Sequence, residues 1–322
     1  MKKKTTSILM AFVIAVFALT SCSDDDNNVA PPASNTIADF VAANSSFSSL
    51  GAALDRADLT GVLAGTTDYT VFAPDNAAFD AFLAANGFAN LEAVPVDVLT
   101  QILLNHVVSG INTSSDLSTG YIETLAEETT TGNKLNMYVN TSSGVVLNGA
   151  STVTTANVDV DNGVIHAVNN VIGLPTVVTF ATADATFGVL VDALTRENTF
   201  TYVGTLSTTG TPAPFTVFAP TDAAFTDLIG ELDGVNSLAD IPTATLEATL
   251  NTHVVAGANV LASTLTDGMM VNTLGDNFTI NTAGGATFTD LNNRTGDIIV
   301  TDVQAVNGVI HVVNKVILPN LN

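Results

Sequence analysis

The sequence predicts a mixed α+β fold in two tandem copies of one domain, because three blocks occur twice and each copy repeats the same helix and strand patterns. The blocks are YTVFAPDNAAF (69–79) and FTVFAPTDAAF (215–225), LLNHVVSG (103–110) and LNTHVVAG (250–257), and NGVIHAV (162–168) and NGVIHVV (307–313). They keep one order and a nearly constant separation. A unit of this length is a complete domain rather than one turn of a solenoid. We therefore expect domains at 35–175 and 176–322, each folding without the other.

Each copy opens with a helical pattern. In the first copy, apolar residues recur at three- and four-residue steps from Ile37 to Leu54. Asn35 and Thr36 are placed to cap the first helix. This spacing predicts a group of short amphipathic helices.

A buried strand that turns directly into a helix is predicted next. In the first copy the apolar run 71–73 stops at Pro74, and Asp75 stands where a helix N-cap belongs. Pro220 and Thr221 take the same places in the second copy. The residue type at the cap changes while its capping chemistry is kept, so we assign both prolines a structural role.

The later part of each copy has the pattern of antiparallel strands. Residues 121–148 and 270–289 are rich in Thr, Val and turn-forming residues. The closing block predicts a hairpin, with Asn-Gly at Gly163 and at Gly308 supplying the positive backbone angles of a tight turn. The return strand 164–168 is mainly apolar on both faces, which indicates a central, largely buried strand.

The N-terminus has the pattern of a signal peptide. Three lysines at 2–4 precede an apolar run, 8–19, that is too short to span a membrane comfortably. The next residues, Leu-Thr-Ser-Cys, resemble a bacterial lipobox, in which the cysteine is diacylated and becomes the mature N-terminus. Cys22 is the only cysteine in the chain. We expect a signal peptide at 1–21 and lipidation of Cys22.

Residues 22–34 have the composition of a lipidated acidic tether. A serine and three aspartates at 23–26 cannot form a core. Placed directly after the cysteine, they resemble the export signal of surface lipoproteins in the Bacteroidota. We therefore expect an outer membrane lipoprotein exposed at the cell surface, with the periplasmic face as the alternative.

The charge balance bears on the class of partner. Only 12% of residues are charged, against roughly 25% in a typical soluble domain. The formal net charge is -23, and such a surface repels nucleic-acid phosphates and anionic lipid headgroups. Nucleic acid is therefore not an expected partner.

Together, the TVFAP-x-x-x-AF block, the HVV block and the NGVIHVV ending resemble tandem fasciclin-like domains, from about Asn35 to Pro319. The resemblance implies that each domain is a wedge of two antiparallel β-sheets packed against a cluster of short helices. It also implies extracellular adhesion or matrix association rather than catalysis. The implied partners are an extracellular protein or polysaccharide, with homotypic association as a further possibility.

The family's animal members carry two adhesion-linked motifs. In one, a tyrosine precedes the histidine of the middle block, but Asn105 and Thr252 take that place here. In the other, an aspartate and an isoleucine stand just before the Asn-Gly turn. The matching candidate adhesion positions are His106, His253, Asn157, Val158, Asp302 and Val303. A purely structural role is the alternative for all of them.

The four histidines fall in matched pairs, His106 with His253 and His166 with His311. A neutral imidazole donates from one ring nitrogen and accepts at the other, so a buried histidine can pin a strand or helix end to nearby backbone. We predict this structural role for His166 and His311. The alternative is metal or acid–base chemistry, but the sequence has no HExxH motif and no Cys-His cluster, so we expect neither a metal nor a cofactor.

Enzyme motifs are lacking as well. There is no G-x-S-x-G nucleophile motif and no glycine-rich phosphate loop. The segment 159–163 has the start of a calcium loop, but its glycine comes one residue early and Asn170 stands where a bidentate glutamate belongs. We predict a non-catalytic adhesion module. A carbohydrate- or small-ligand-binding protein is the alternative, weakened by the absence of Trp and by only 6% aromatic residues, and an enzyme ranks last.

Overall fold

A computed structural model describes residues 34–321. The predicted signal peptide, Cys22 and all of the tether except Ser34 lie outside the described residues. Among those that are described, no single helix is long and apolar enough to cross a membrane. Two consecutive helical segments, Val177–Ala183 and Ala185–Thr195, are long and apolar enough for a span only when they are taken together, and the chain bends by 93° between them.

The first domain places its helices mainly before its strands. The helices are α1 (Ile37–Ala43), α2 (Ser48–Arg56), α3 (Thr60–Leu63), α4 (Asn76–Ala85) and α5 (Val96–Leu104). The strands are β1 (Tyr69–Pro74), β2 (Val107–Ser109), β3 (Gly120–Glu127), β4 (Lys134–Asn140), β5 (Val146–Leu147), β6 (Ser151–Val160) and β7 (Gly163–Val168).

The second domain repeats this order. Its helices are α6 (Val177–Ala183), α7 (Gly188–Thr195), α8 (Tyr202–Leu206), α9 (Asp222–Glu231) and α10 (Thr243–Asn251). Its strands are β8 (Phe215–Pro220), β9 (Val254–Ala256), β10 (Met270–Val271), β11 (Phe278–Asn281), β12 (Thr287–Thr289), β13 (Thr295–Ala305) and β14 (Gly308–Val313).

Side-chain caps start the helices as predicted. Thr36 forms a capping box with Asp39 at the start of α1. The Asp75 carboxylate accepts from the N–H of Ala78 at the start of α4, and Thr221 caps α9 in the same way. In both copies the proline is the last residue of the strand before the cap, which ends that strand.

Each domain contains one seven-stranded sheet beside its short helices, so the predicted mixed α+β class in two domains is confirmed. The strand order is β2-β1-β7-β6-β5-β4-β3 in the first domain and β10-β11-β12-β13-β14-β8-β9 in the second. Strand β6 joins two half-sheets, because it pairs with β5 through Ser151 and Thr152 and with β7 from Val153 onward. Antiparallel pairing holds between the described strands except for two parallel pairs, β1 with β7 and β8 with β14.

Two apolar clusters cover the two faces of the central strands. In the first domain, Val71 and Ile165 pack among the helices, whereas Phe72 and Val168 pack between the half-sheets. The second domain has the same division. The prediction that β7 is buried on both faces is therefore confirmed.

The turn before β7 differs from the prediction. Val160 pairs with Gly163, so the two turn residues are Asp161 and Asn162, and Gly163 is the first residue of the strand. Gly163 has a φ of 148°, whereas Asn162 does not have a positive φ. A Cβ at Gly163 would collide with the carbonyl of Tyr69 on the parallel strand β1. Glycine is therefore required by this close approach as well as by backbone conformation.

Candidate functional site

His166 and His311 each connect a strand to two backbone groups. His166 Nε2 lies 2.9 Å from the carbonyl oxygen of Asn112, so it donates, and Nδ1 accepts from the N–H of Asn157 at 3.3 Å. His311 bonds the carbonyl of Val260 and the N–H of Asp302 in the same way, at 2.8 and 3.4 Å. Burial lowers the pKa of both rings, which keeps them neutral.

His106 and His253 use the opposite tautomer. His106 Nδ1 donates to the carbonyl of Ile102 at 2.7 Å, and Nε2 accepts from the N–H of Ile172 at 2.8 Å. His253 makes the equivalent bonds to Thr249 and Ile317. Burial lowers the pKa of both rings to about 4. These two side chains are 2% and 3% exposed, so the adhesion assignment does not fit them. They join the end of a helix to the end of the domain.

Asn157 and Asp302 occupy equivalent bulges, in β6 and β13. Their φ angles are 60° and 59°, a left-handed conformation that Asn and Asp tolerate better than most residues. The Asn157 side-chain oxygen accepts from the N–H of Ser114, and an Asp302 carboxylate oxygen accepts from the N–H of Ala262, both at 2.8 Å. Each side chain thus holds the loop after β2 or β9.

The residues that follow the bulges point into the protein. Val303 is 2% exposed and lies in the core of the second domain, so it offers no contact surface and its adhesion assignment is corrected. Val158 is half-buried against the helical cluster of the first domain. Of the six candidate adhesion positions, Asn157 is exposed, and Val158 and Asp302 are partly exposed.

Asn162 and Asn307 have side-chain roles that the sequence analysis missed. Asn162 Oδ1 accepts from the N–H of Ile37, and Nδ2 donates to the carbonyls of Leu63 and Gly65, all at 2.8 Å. Asn307 makes the matching bonds to Val177, Leu206 and Thr208. Each asparagine therefore ties the closing hairpin to the first and third helices. Recurrence of Asn before Gly in both copies was the available signal.

A mixed aromatic and acidic cluster joins the two domains. The hydroxyls of Tyr121 and Tyr138 lie 2.9 and 3.3 Å from the Asp184 carboxylate oxygens, and the Tyr121 ring meets Phe180 edge to face at 5.4 Å. Burial, followed by the charge of Asp184, raises the pKa of Tyr138 to about 12 and that of Tyr121 further. Both tyrosines therefore remain hydrogen-bond donors.

Within residues 34–321, no three His, Cys, Asp or Glu side chains come together in a group that could hold a metal ion. Asp159 and Asp161, from the segment that has the start of a calcium loop, belong to no such group. Asp159 lies within β6, and the carboxylate of Asp161 accepts from the N–H of Asn35 at 2.7 Å.

Comparison with known proteins agrees with the repeat. The fasciclin domain model matches residues 45–175 and 186–319. Protein sll1483 of Synechocystis sp. is 38% identical over 137 residues, covering 42% of this chain and 72% of the relative. A fasciclin-like arabinogalactan protein of the fungus Arthroderma benhamiae is 27% identical over 275 residues, or 80% of this chain, which spans 60% of the fungal protein.

The domain pair from the insect cell adhesion molecule Fasciclin I is 20% identical, with a TM-score of 0.49, covering 84% of this chain and 93% of that one. The family model covers most of the present chain, in two consecutive copies. The chain therefore belongs to the fasciclin family, whose domains are associated with adhesion, and carries two fasciclin domains.

Proposed function

We propose that this protein is a non-catalytic adhesion module, anchored at the cell surface through Cys22, that attaches the cell to an extracellular polymer. The observation that carries the proposal is the pair of consecutive fasciclin domains, at 45–175 and 186–319. The predicted acidic tether would hold this pair away from the membrane.

The use of the histidines supports a binding role over a catalytic one. Both ring nitrogens of every histidine are engaged by backbone groups, so none of the four is free to move a proton to or from a substrate. The polar candidate contact residues that remain accessible are Asn157 and Asp302, at the bulges of β6 and β13.

The test uses the full chain from Ser23 onward, coupled to beads through its N-terminus. Retention under flow is measured on immobilised polysaccharides, on matrix proteins and on a layer of the same protein. We expect retention on at least one of these surfaces and loss of it after heat unfolding. Equal retention of native and unfolded protein on every surface would overturn the proposal.

A carbohydrate-binding role is the second candidate. It is favoured by one feature of the second domain, a pocket that combines aromatic and polar side chains between α8 and α10.

A further inference from the structure

The pocket between α8 and α10 of the second domain has a volume of about 290 Å³. Its lining includes Phe200 and Tyr202, Glu247 and Asn251 of α10, and Leu274. Small-molecule sites usually occupy roughly 300–1,000 Å³, so this pocket is sized for one small ring rather than for a long ligand.

The pocket depends on a segment that differs between the two domains. Tyr69, which opens β1, follows Arg56 by 13 residues, whereas Phe215, which opens β8, follows Arg196 by 19. Leu206, which bonds Asn307, follows Arg196 by 10 residues, whereas Leu63, which bonds the matching Asn162, follows Arg56 by 7. Additional residues of the second copy therefore lie in the stretch that carries Phe200. A feature built on an insertion in one copy is not required by the shared fold.

The insertion is anchored at its base by hydrogen bonds. Arg196 Nη1 donates to the carbonyls of Leu238 and Ile241, both at 2.8 Å, and Nε donates to Glu197 at 3.0 Å. The backbone N–H of Phe200 then donates to the carbonyl of Glu197. These bonds position Phe200 before any ligand arrives, which lowers the entropic cost of binding.

The two aromatic rings support each other and orient a polar group. Phe200 and Tyr202 meet edge to face, with centroids 5.4 Å apart. The hydroxyl of Tyr202 donates to Asn251 Oδ1 at 3.0 Å and lies 3.2 Å from the carbonyl oxygen of Glu247. Burial, together with the charge of Glu247, raises the pKa of Tyr202 to about 12, so this donor persists at neutral pH.

Two polar groups of the pocket remain available for a ligand. With its oxygen engaged by Tyr202, Asn251 presents its NH₂ group as a donor. The exposed Glu247 carboxylate takes part in no ion pair within the described residues and presents an acceptor. An apolar ring face beside one donor and one acceptor complements a sugar, which offers a C–H face and neighbouring hydroxyls.

Other small ligands fit this arrangement less well. An anion would be repelled by Glu247 and by the net charge of -23. A quaternary ammonium ion would be attracted to the rings and the carboxylate, but it offers no acceptor for the Asn251 NH₂ group. A neutral sugar uses all of these groups.

We propose that this pocket of the second domain binds one neutral sugar unit of an extracellular polysaccharide. The inference rests on the proposed adhesion function, since it names the class of polymer to which the protein attaches.

The experiment measures binding of neutral oligosaccharides to the full chain by calorimetry and by a glycan array. We expect a neutral oligosaccharide to bind, and Phe200→Ala and Glu247→Gln each to weaken it about tenfold, or ~1.4 kcal/mol. Glu123→Gln, at an exposed position on β3 of the first domain, is the matched control and should bind normally. Melting temperatures verify that each variant is folded.

Three results would overturn the site. They are the absence of binding to any neutral oligosaccharide, binding that both pocket variants leave unchanged, and a preference for tetramethylammonium over sugars. Bead attachment separates this failure from failure of the adhesion proposal. If Phe200→Ala beads still attach to a polymer, adhesion stands without the pocket, whereas sugar binding without any bead attachment would reject adhesion and keep the site.

Discussion

The hydroxyl of Tyr121 in the first domain donates a 2.9 Å hydrogen bond to the carboxylate of Asp184 in the second. Tyr138 lies 3.3 Å from the other carboxylate oxygen, and its ring belongs to the core cluster of the second domain. The N–H of Gln304 also donates to Asn136 across the boundary, at 2.7 Å. The two domains therefore share buried polar and apolar contacts rather than only a linker.

Removal of the Asp184 carboxylate, to which both tyrosines bond, should destabilise the two-domain protein. Asp184→Ala leaves the buried Tyr138 hydroxyl without its acceptor and removes the bond from Thr186 N–H at the start of the next helical turn. We expect the free energy of unfolding to fall by about 1–3 kcal/mol, measured by urea denaturation. The matched control is Asn44→Ala. Asn44 holds the same helix-end position in the first domain, and its side chain donates to the carbonyl of Phe40 in its own helix. An equal loss in both variants would contradict a special role for the interface.

Separate expression of the domains tests their independence. We expect residues 35–175 and 176–322 each to give a cooperative transition, because each has its own pair of apolar clusters. The isolated second domain should melt at a lower temperature than in the full chain, since it loses Tyr138 from its core. Calorimetry of the halves and of the whole chain provides the comparison. Identical melting temperatures would show that the interface adds nothing to stability.

Lipidation is tested at Cys22, which lies outside the described residues. Cys22→Ser should abolish metabolic labelling with fatty acid and release the protein from the membrane fraction, because the thiol is the predicted acylation site. Ser21→Ala keeps a small residue before the cysteine and should label normally. Protease treatment of intact cells tests surface exposure independently, and protection until the outer membrane is broken would place the protein in the periplasm.

The buried histidines should make stability fall with acid. The pKa of His106 and of His253 is about 4 in the folded chain, below the ordinary 6.5, so the unfolded chain binds more protons between these values. Their contribution is complete above pH 6.5 and is lost as the pH falls towards 4, by at most about 1.4 kcal/mol per pH unit for each ring. His106→Gln should be less stable at pH 7, with a shallower decline from pH 6.5 to 5 in urea titrations. A variant with an unchanged slope would contradict this linkage.

The sequence predicted features whose determinants are local. Asp75 and Thr221 cap helices because a cap depends on residues within one turn. The burial of β7 follows from a run of apolar residues in which His166 is the one polar side chain. Contacts between residues distant in the chain have no such pattern. The bond from Asn162 to Ile37 spans 125 residues, and the parallel pairing of β1 with β7 also depends on the tertiary fold.

The candidate pocket was missed for a different reason. Its signal was the longer segment between Arg196 and Phe215 in the second copy. The repeated blocks indicate what the two domains share, whereas this pocket is built from residues that differ between the two copies. The low overall aromatic content also argued against a stacking site. The contact of Phe200 with Tyr202 depends on the positions of these two residues and not on the number of aromatic residues in the chain.

Substitution of Asp302 separates adhesion from structure. Asp302→Ala removes the acceptor for the Ala262 N–H and places alanine at a φ of 59°, so we expect a loss of about 1–3 kcal/mol in unfolding free energy. Asp302→Asn introduces the residue that the first domain has at the matching position 157, where its side chain makes the equivalent bond at a φ of 60°. This variant should therefore keep its melting temperature while losing the charge.

If the Asp302 carboxylate contacts the partner, Asp302→Asn beads should attach more weakly than wild type. Asp297→Asn, at an exposed position on the same strand, should attach normally. Unchanged attachment of Asp302→Asn would assign Asp302 to the bulge alone and remove it from the adhesion surface.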